Sequence, residues 1–234
     1  MTHTVHPYAH RLGIIRDWKS RWFAGDKKSY RENIKIDELI RRFLMKRLRG
    51  TYTSGIEIER SANELRVILS TARPGLVIGR SGENAGKLRT ELAHLVHSIA
   101  PTDRRAVKLD INEVRQAETD AAVVAFMVAE GLEKRMPFRR VLKQTVEKVI
   151  AAREVEGVRI TISGRLGGAE MSRKEEVKKG RIPLQTFRAD IDFAHEQAYL
   201  PYGVIGIKVW IFRGNVYQEK KAAVRLPEAP MRGQ

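Results

Sequence analysis

Gly79-Arg80-Ser81-Gly82 is the stretch with the most chemistry in it. Two glycines three apart let a turn adopt positive φ, and they remove the Cβ atoms that would hold a sugar-phosphate chain at a distance. Pro74 suits the first position of a short helix running to Ile78. From Glu83 a longer helix follows, because Leu88, Leu92, Leu95, Val96 and Ile99 keep three-and-four spacing. The N–H groups at its start, with the helix dipole, favour an anion. Arg80 puts a positive charge at the tip. Such a turn holds a phosphodiester backbone and makes or breaks no bond. A plain helix corner capped by glycine is the alternative on the tetrapeptide alone.

Two further groups have the residue types for polyanions. Arg139, Arg140 and Lys143 lie within one turn of each other, opposite an apolar face of Phe138, Val141, Leu142, Val146, Val149 and Ile150. Held on a rigid helix, they could grip a passing phosphate backbone. In residues 1–28, Arg11, Arg16, Lys19, Arg21, Lys27 and Lys28 alternate irregularly with Tyr8, Trp18, Trp22 and Phe23. This reads as a basic, aromatic arm in which Arg11, Arg16, Lys19, Arg21 and Trp22 contact RNA, although the aromatics could equally pin it to a core. His3, His6 and His10 have helical spacing, but no carboxylate or thiolate nearby completes a metal site, so none is expected.

Catalytic readings fail on spacing. A phosphate-binding loop of NTPases needs G-x-x-x-x-G-K-[ST]. Around Gly86-Lys87, Ser81 stands at the first glycine's place and Leu88 where a hydroxyl should hold magnesium. The acidic residues fall on alternating strand positions and helix faces, not as a converging pair, and Glu83 sits where helix capping explains it. No enzyme and no cofactor are expected.

The elements that must position these groups follow from periodicity. Residues 30–49 form a helix with Ile36, Leu39, Ile40, Phe43, Leu44 and Leu48 as its stripe and Gly50 as its stop. Ile56 and Ile58, then Leu65, Val67 and Leu69, and after the glycine turn Val107, Leu109 and Ile111, alternate as strands. The order is α-β-β-α-α-β. A second unit begins after 113–116 with two helices, the second opened by Pro137. Strands follow at Val158–Ile162, Phe187–Phe193 and Val204–Phe212. The last is nearly all apolar and should be central. MSRKEEVKKG, 171–180, reads as a charged loop or hairpin tip. The organisation expected is an arm at 1–28, units at 29–114 and 115–214, and a mobile tail at 215–234. The fold class is α+β in two domains, the second with two helices on a mostly antiparallel sheet.

Composition agrees with a polyanion binder. The 234 residues carry 44 Lys+Arg against 28 Asp+Glu, a formal charge of +16, and contain no cysteine. Nucleic acid or an anionic membrane surface is the expected partner class. Disulfides and thiolate metal sites are excluded. No apolar run approaches the roughly 18 residues of a membrane span, and the amino end is not a secretory signal, so a cytoplasmic protein is expected.

Helix, G-x-x-G and helix, with Leu76-Val77-Ile78 just ahead and the order α-β-β-α-α-β, resemble a type II KH RNA-binding domain, whose loop clamps about four nucleotides. The resemblance extends along the chain to the small-subunit ribosomal protein S-three family in its bacterial form. It is carried by Val5-His6-Pro7, Arg11-Leu12-Gly13-Ile14, Thr71 through Gly82, Phe138-Arg139-Arg140, SGRLGGAE at 163–170, RADIDF at 188–193 and YGVIGIKVWIF at 202–212. These run collinearly over about 5–214.

The resemblance implies a component of the small-subunit head, bound to ribosomal RNA beside proteins S-ten and S-fourteen and lining the entrance for messenger RNA. Arg139, Arg140 and Lys143 would face the message and help open its structure, using the pull of translocation. The chain departs from relatives at Glu175-Glu176-Val177, where members commonly carry aromatics, and in a tail without a Lys/Arg run. Two other classes compete: a free KH-type RNA regulator, and an RNA-acting enzyme. The second unit argues against the regulator, which has no need of a docking domain.

Overall fold

The structure, a computed structural model, describes residues 5–100 and 105–216. The first unit is built on α2 (Lys27–Arg47), β2 (Thr53–Arg60), β3 (Glu64–Thr71), α3 (Pro74–Ile78), α4 (Glu83–Ile99) and β4 (Ala106–Glu113). This is the expected α-β-β-α-α-β order, with the first helix starting three residues earlier. β2 and β3 are antiparallel, with Ile58 opposite Val67; β3 and β4 are parallel, with Val67 opposite Leu109. Both long helices lie on one face. Ile36, Ile40 and Leu44 of α2 and Leu88, Leu92 and Val96 of α4 meet Ile58, Leu65, Val67 and Leu69 in one core. Each such side chain contributes roughly 1.5–3 kcal/mol by leaving water.

The second unit consists of α5 (Ala121–Glu133), α6 (Phe138–Ala151), β5 (Gly157–Gly164), β6 (Arg173–Gly180), β7 (Ala189–Leu200) and β8 (Gly203–Asn215). Its sheet order is β6-β5-β8-β7, antiparallel throughout. β8 is therefore internal, as its apolar run suggested. Ile205, Ile207, Val209 and Ile211 of β8 join Ile160 and Ile162 of β5 beneath Val124, Val128 and Leu132 of α5 and Leu142, Val146 and Val149 of α6.

The expected charged loop at 171–180 is instead the edge strand β6. Its side chains are charged on both faces except at Val177, so it has no alternation to read. An edge strand needs only one paired side, and Lys and Glu along it discourage further pairing.

The amino-terminal segment spans the two units and is packed along its course. α1 (Pro7–His10) lies against β7, and β1 (Ser20–Arg21) adds to the first sheet parallel to β2. Arg11 has no exposed surface. Its Nε donates to the carbonyl of Ala189 at 2.6 Å, Nη1 to that of Pro7 at 3.0 Å, and Nη2 to those of Leu184 and Thr186 at 3.1 and 3.0 Å. The expectation that Arg11 contacts RNA is thus corrected: all three of its nitrogens donate to carbonyls that burial would otherwise leave bare.

A polar seam joins the units. Tyr52 donates to the Glu130 carboxylate, and Ser54 to Asp120. Arg49 pairs with Glu133 at 2.5 Å and lies 4.3 Å from the Tyr199 ring centroid. The tail expected at 215–234 lies, from residue 217 on, outside the described residues.

Candidate nucleic-acid interface

The glycine turn has the backbone its composition requires. α3 ends at Gly79, with φ of 73°, and α4 is capped by Gly82, with φ of 78°. Ser81 between them also has positive φ, at 51°. At Gly79 φ is the constraint, and a Cβ there, 2.6 Å from Asn84 Nδ2, would also push the exposed Asn84 side chain aside. Gly82 faces open space, so there only φ constrains it. Arg80 and Ser81 are exposed at the tip, flanked by exposed Leu76 and Ile78. A strip of cation, open amides and apolar surface suits a backbone on one side and base faces on the other. Glu83 is tied to Lys87 at 2.5 Å within the first turn of α4.

α6 presents Arg139, Arg140 and Lys143 together. All three are exposed, and with Gln144 and Glu147 they line a shallow hollow of about 450 Å³. Two of these cations stand in the first turn of a helix with no acidic residue there. The dipole opposes that arrangement by about 0.3–1 kcal/mol per charge, so helix stability does not account for it. It does make an anion at this end doubly favoured, by side chain and by main chain. Arg139 meets Glu175 at 3.5 Å, and the Phe138 ring lies 5.6 and 5.5 Å from the guanidinium carbons of Arg139 and Arg173. Phe138 packs against the core, as its spacing predicts, while Arg173 gives no signal in the sequence, because only the pairing of β6 brings it to this helix.

Of the remaining expected arm residues, Arg16, Arg21 and Trp22 are half-buried and bonded within the chain, whereas Lys19 is exposed. Arg16 pairs with Asp190 at 2.7 Å. Arg21 pairs with Glu57 and Glu59 at 2.5 and 2.9 Å. Trp22 donates to Asp37 at 2.8 Å, beside the buried pair of Asp37 and Arg60. Lys19 lies 5.1 Å from the Tyr8 ring centroid. Beneath the segment is a cleft of about 580 Å³ where Arg16, Lys19, Arg21 and Arg213 are matched by Asp17, Glu57, Asp120 and Asp192. It has no excess of cations. His6 and His10 pack edge-on to Phe193 and flat on Phe187, and His3 lies outside the described residues.

Comparison with known proteins matches this architecture unit by unit. The family model for the KH domain covers residues 39–119, and that for ribosomal protein S3, C-terminal domain, covers 128–211. Small ribosomal subunit protein uS3 of Caldicellulosiruptor bescii is 45% identical over 223 residues, spanning 95% of this chain and 97% of that one. The chain belongs to the ribosomal protein uS3 family. The protein of the same name from Synechocystis is 43% identical over 232 residues, 99% of this chain and 94% of its own. That from Clostridium tetani is 42% identical over 221 residues, 94% and 96%.

Membership makes the chain a small-subunit ribosomal protein with a KH RNA-binding domain, a cytoplasmic component of translation and not an enzyme. No helix among the described residues is long and apolar enough to cross a membrane.

Proposed function

We propose that the chain binds ribosomal RNA in the small-subunit head beside proteins S-ten and S-fourteen, and that the first turns of α6 line the path by which messenger RNA enters. In this reading 29–114 serves as the KH unit and 115–214 as the docking and entry unit. Arg139, Arg140 and Lys143 hold the phosphates of incoming message and keep strands apart as translocation pulls them. The observation that carries this is the placing of exposed cations where the helix dipole disfavours them. The Gly79–Gly82 turn holds a ribosomal RNA backbone, with Arg80 on a phosphate. Arg16, Arg21 and Trp22 contribute at most through their exposed edges, since their polar ends are engaged within the chain, whereas the exposed Lys19 is free to meet a phosphate.

Ribosomes carrying Arg139, Arg140 and Lys143 changed to Ala should translate structured messages more slowly than unstructured ones. An equal effect on both would remove the entry role. For the turn, Arg80→Asp with Ser81→Asp should weaken RNA binding while the domain stays folded, because aspartate tolerates positive φ. Unchanged affinity in the folded variant would count against the turn. If about six to ten phosphates are neutralised in all, affinity for RNA should fall on the order of a thousandfold between about 50 and 200 mM salt, on the scale set by DNA.

A further inference from the structure

The second sheet has a face that neither proposed contact uses. Its inner face is covered by α5 and α6. One half of its outer face is covered as well: Ile182 and Leu184 pack on Ile191 and Phe212, and His6 on Phe193. Among the described residues, no helix or strand lies over the other half. The register sets its side chains in rows across four strands. Lys178, Arg159, Trp210 and Phe193 form one row, in which Trp210 and Phe193 border the covered half; Glu176, Thr161, Lys208 and His195 form the next; Lys174, Ser163, Gly206 and Gln197 a third.

The chemistry of these rows is uneven. Lys174, Lys178, Arg159 and Lys208 face a single carboxylate, Glu176, which Arg159 meets at 2.7 Å and Lys174 at 4.0 Å. The half-face therefore has a surplus of positive charge. Trp210 and Phe193 stand 5.1 Å apart, and the Arg159 guanidinium lies 5.0 Å from the Trp210 ring centroid. In the third row Gly206 is flanked closely by its neighbours: a Cβ there would be tight against Ser163 Oγ at 3.3 Å and in contact with His195 Nε2 at 3.9 Å.

We infer that this open half-face is a separate platform for unpaired RNA. Bases stack on the planar groups of Arg159, Trp210 and His195, while phosphates meet Lys174, Lys178 and Lys208. Sheet faces carrying aromatic and cationic planes are suited to splayed single strands, since every base offers a π-face. A protein partner fits less well. The centres of protein interfaces are depleted in charge, and here lysines stand in all three rows with one carboxylate among them. The platform depends on neither the glycine turn nor the α6 cations.

The test uses the full chain, already bearing the Ala changes at 139, 140 and 143, with a labelled oligouridylate of about twelve nucleotides as probe. Adding Lys174→Ala, Lys178→Ala and Lys208→Ala should weaken binding about tenfold near 0.1 M salt. It should also reduce the salt slope by about two, at roughly 0.7 per single-strand phosphate contact. All three lysines are exposed, so the melting temperature should not move. A folded variant with unchanged affinity and slope would overturn the inference. In assembled subunits, ultraviolet crosslinks from residues 195–210 should reach RNA. Crosslinks from that stretch to protein neighbours only would also overturn it.

Discussion

The amino-terminal segment and the start of α6 are both rich in cations beside aromatic rings, yet they use them in opposite ways. In the segment, Arg11 is enclosed by main-chain carbonyls, and Arg16 and Arg21 are paired with carboxylates. On α6, Arg139 has one distant carboxylate, Arg140 and Lys143 stand exposed beside it, and the helix dipole works against them. Composition does not distinguish these cases; the inventory of partners does. A cation with its hydrogen bonds filled internally is architecture. One placed against its own helix is available to something outside.

Stability measurements should separate the two regions, and the largest effect belongs to Arg11. Arg11→Ala should lose at least about 3 kcal/mol in urea unfolding of the full chain, since several buried carbonyls lose their donors together. Arg11→Lys should not restore it, because an ammonium cannot reproduce the planar fork. A loss below about 1 kcal/mol would erase the contrast.

The seam residue Asp120 gives a middle-sized effect with a pH signature. It caps α5, accepting from the N–H groups of Ala122 and Val123 at 2.9 and 3.1 Å, and it is held near Asp192. Burial first, and the Asp192 charge second, push its carboxyl above the ordinary value of 3.8. The folded chain then binds this proton more tightly than the unfolded one. Between the ordinary and raised values, stability rises as pH falls, and above that window the ionised group costs stability. Asp120→Ala should lose about 1–2 kcal/mol through the cap, while Asp120→Asn keeps the capping oxygen and loses much less. Relative to Asp120→Asn, the natural chain should gain stability on acidification from neutral pH. The same pH slope in both would refute the assignment.

The smallest effect is expected at α6. Removing the cations at 139 and 140 should leave stability unchanged or raise it by a few tenths of a kcal/mol, as the dipole is relieved. Chemical denaturation reads this directly. A clear loss would mean that these arginines, like Arg11, hold the fold together.

Much of this architecture is legible in the sequence wherever burial imposes a period. Leu65, Val67 and Leu69 announce β3, the stripe from Leu88 to Ile99 announces α4, and the apolar run before Phe212 announces an internal strand. Gly79 and Gly82 mark the turn because few other residues tolerate its φ. What stays hidden is whatever depends on contacts distant along the chain. β6 has no buried face to impose alternation. Arg11 looks like any basic residue in a polar segment, because all of its acceptors but the Pro7 carbonyl lie at 183–189. The outer sheet platform is equally invisible, since its rows exist only after four strands are in register.

The enclosure of Arg11 also sets an order of events. A ribosome making this chain adds Arg11 more than 170 residues ahead of the carbonyls of Leu184, Thr186 and Ala189 that receive it. The KH unit can condense on the nascent chain while α1 remains unanchored, and only after β7 has emerged does the guanidinium find its socket. A segment made early is thus locked down only when a distant strand arrives, a clasp that closes across both units.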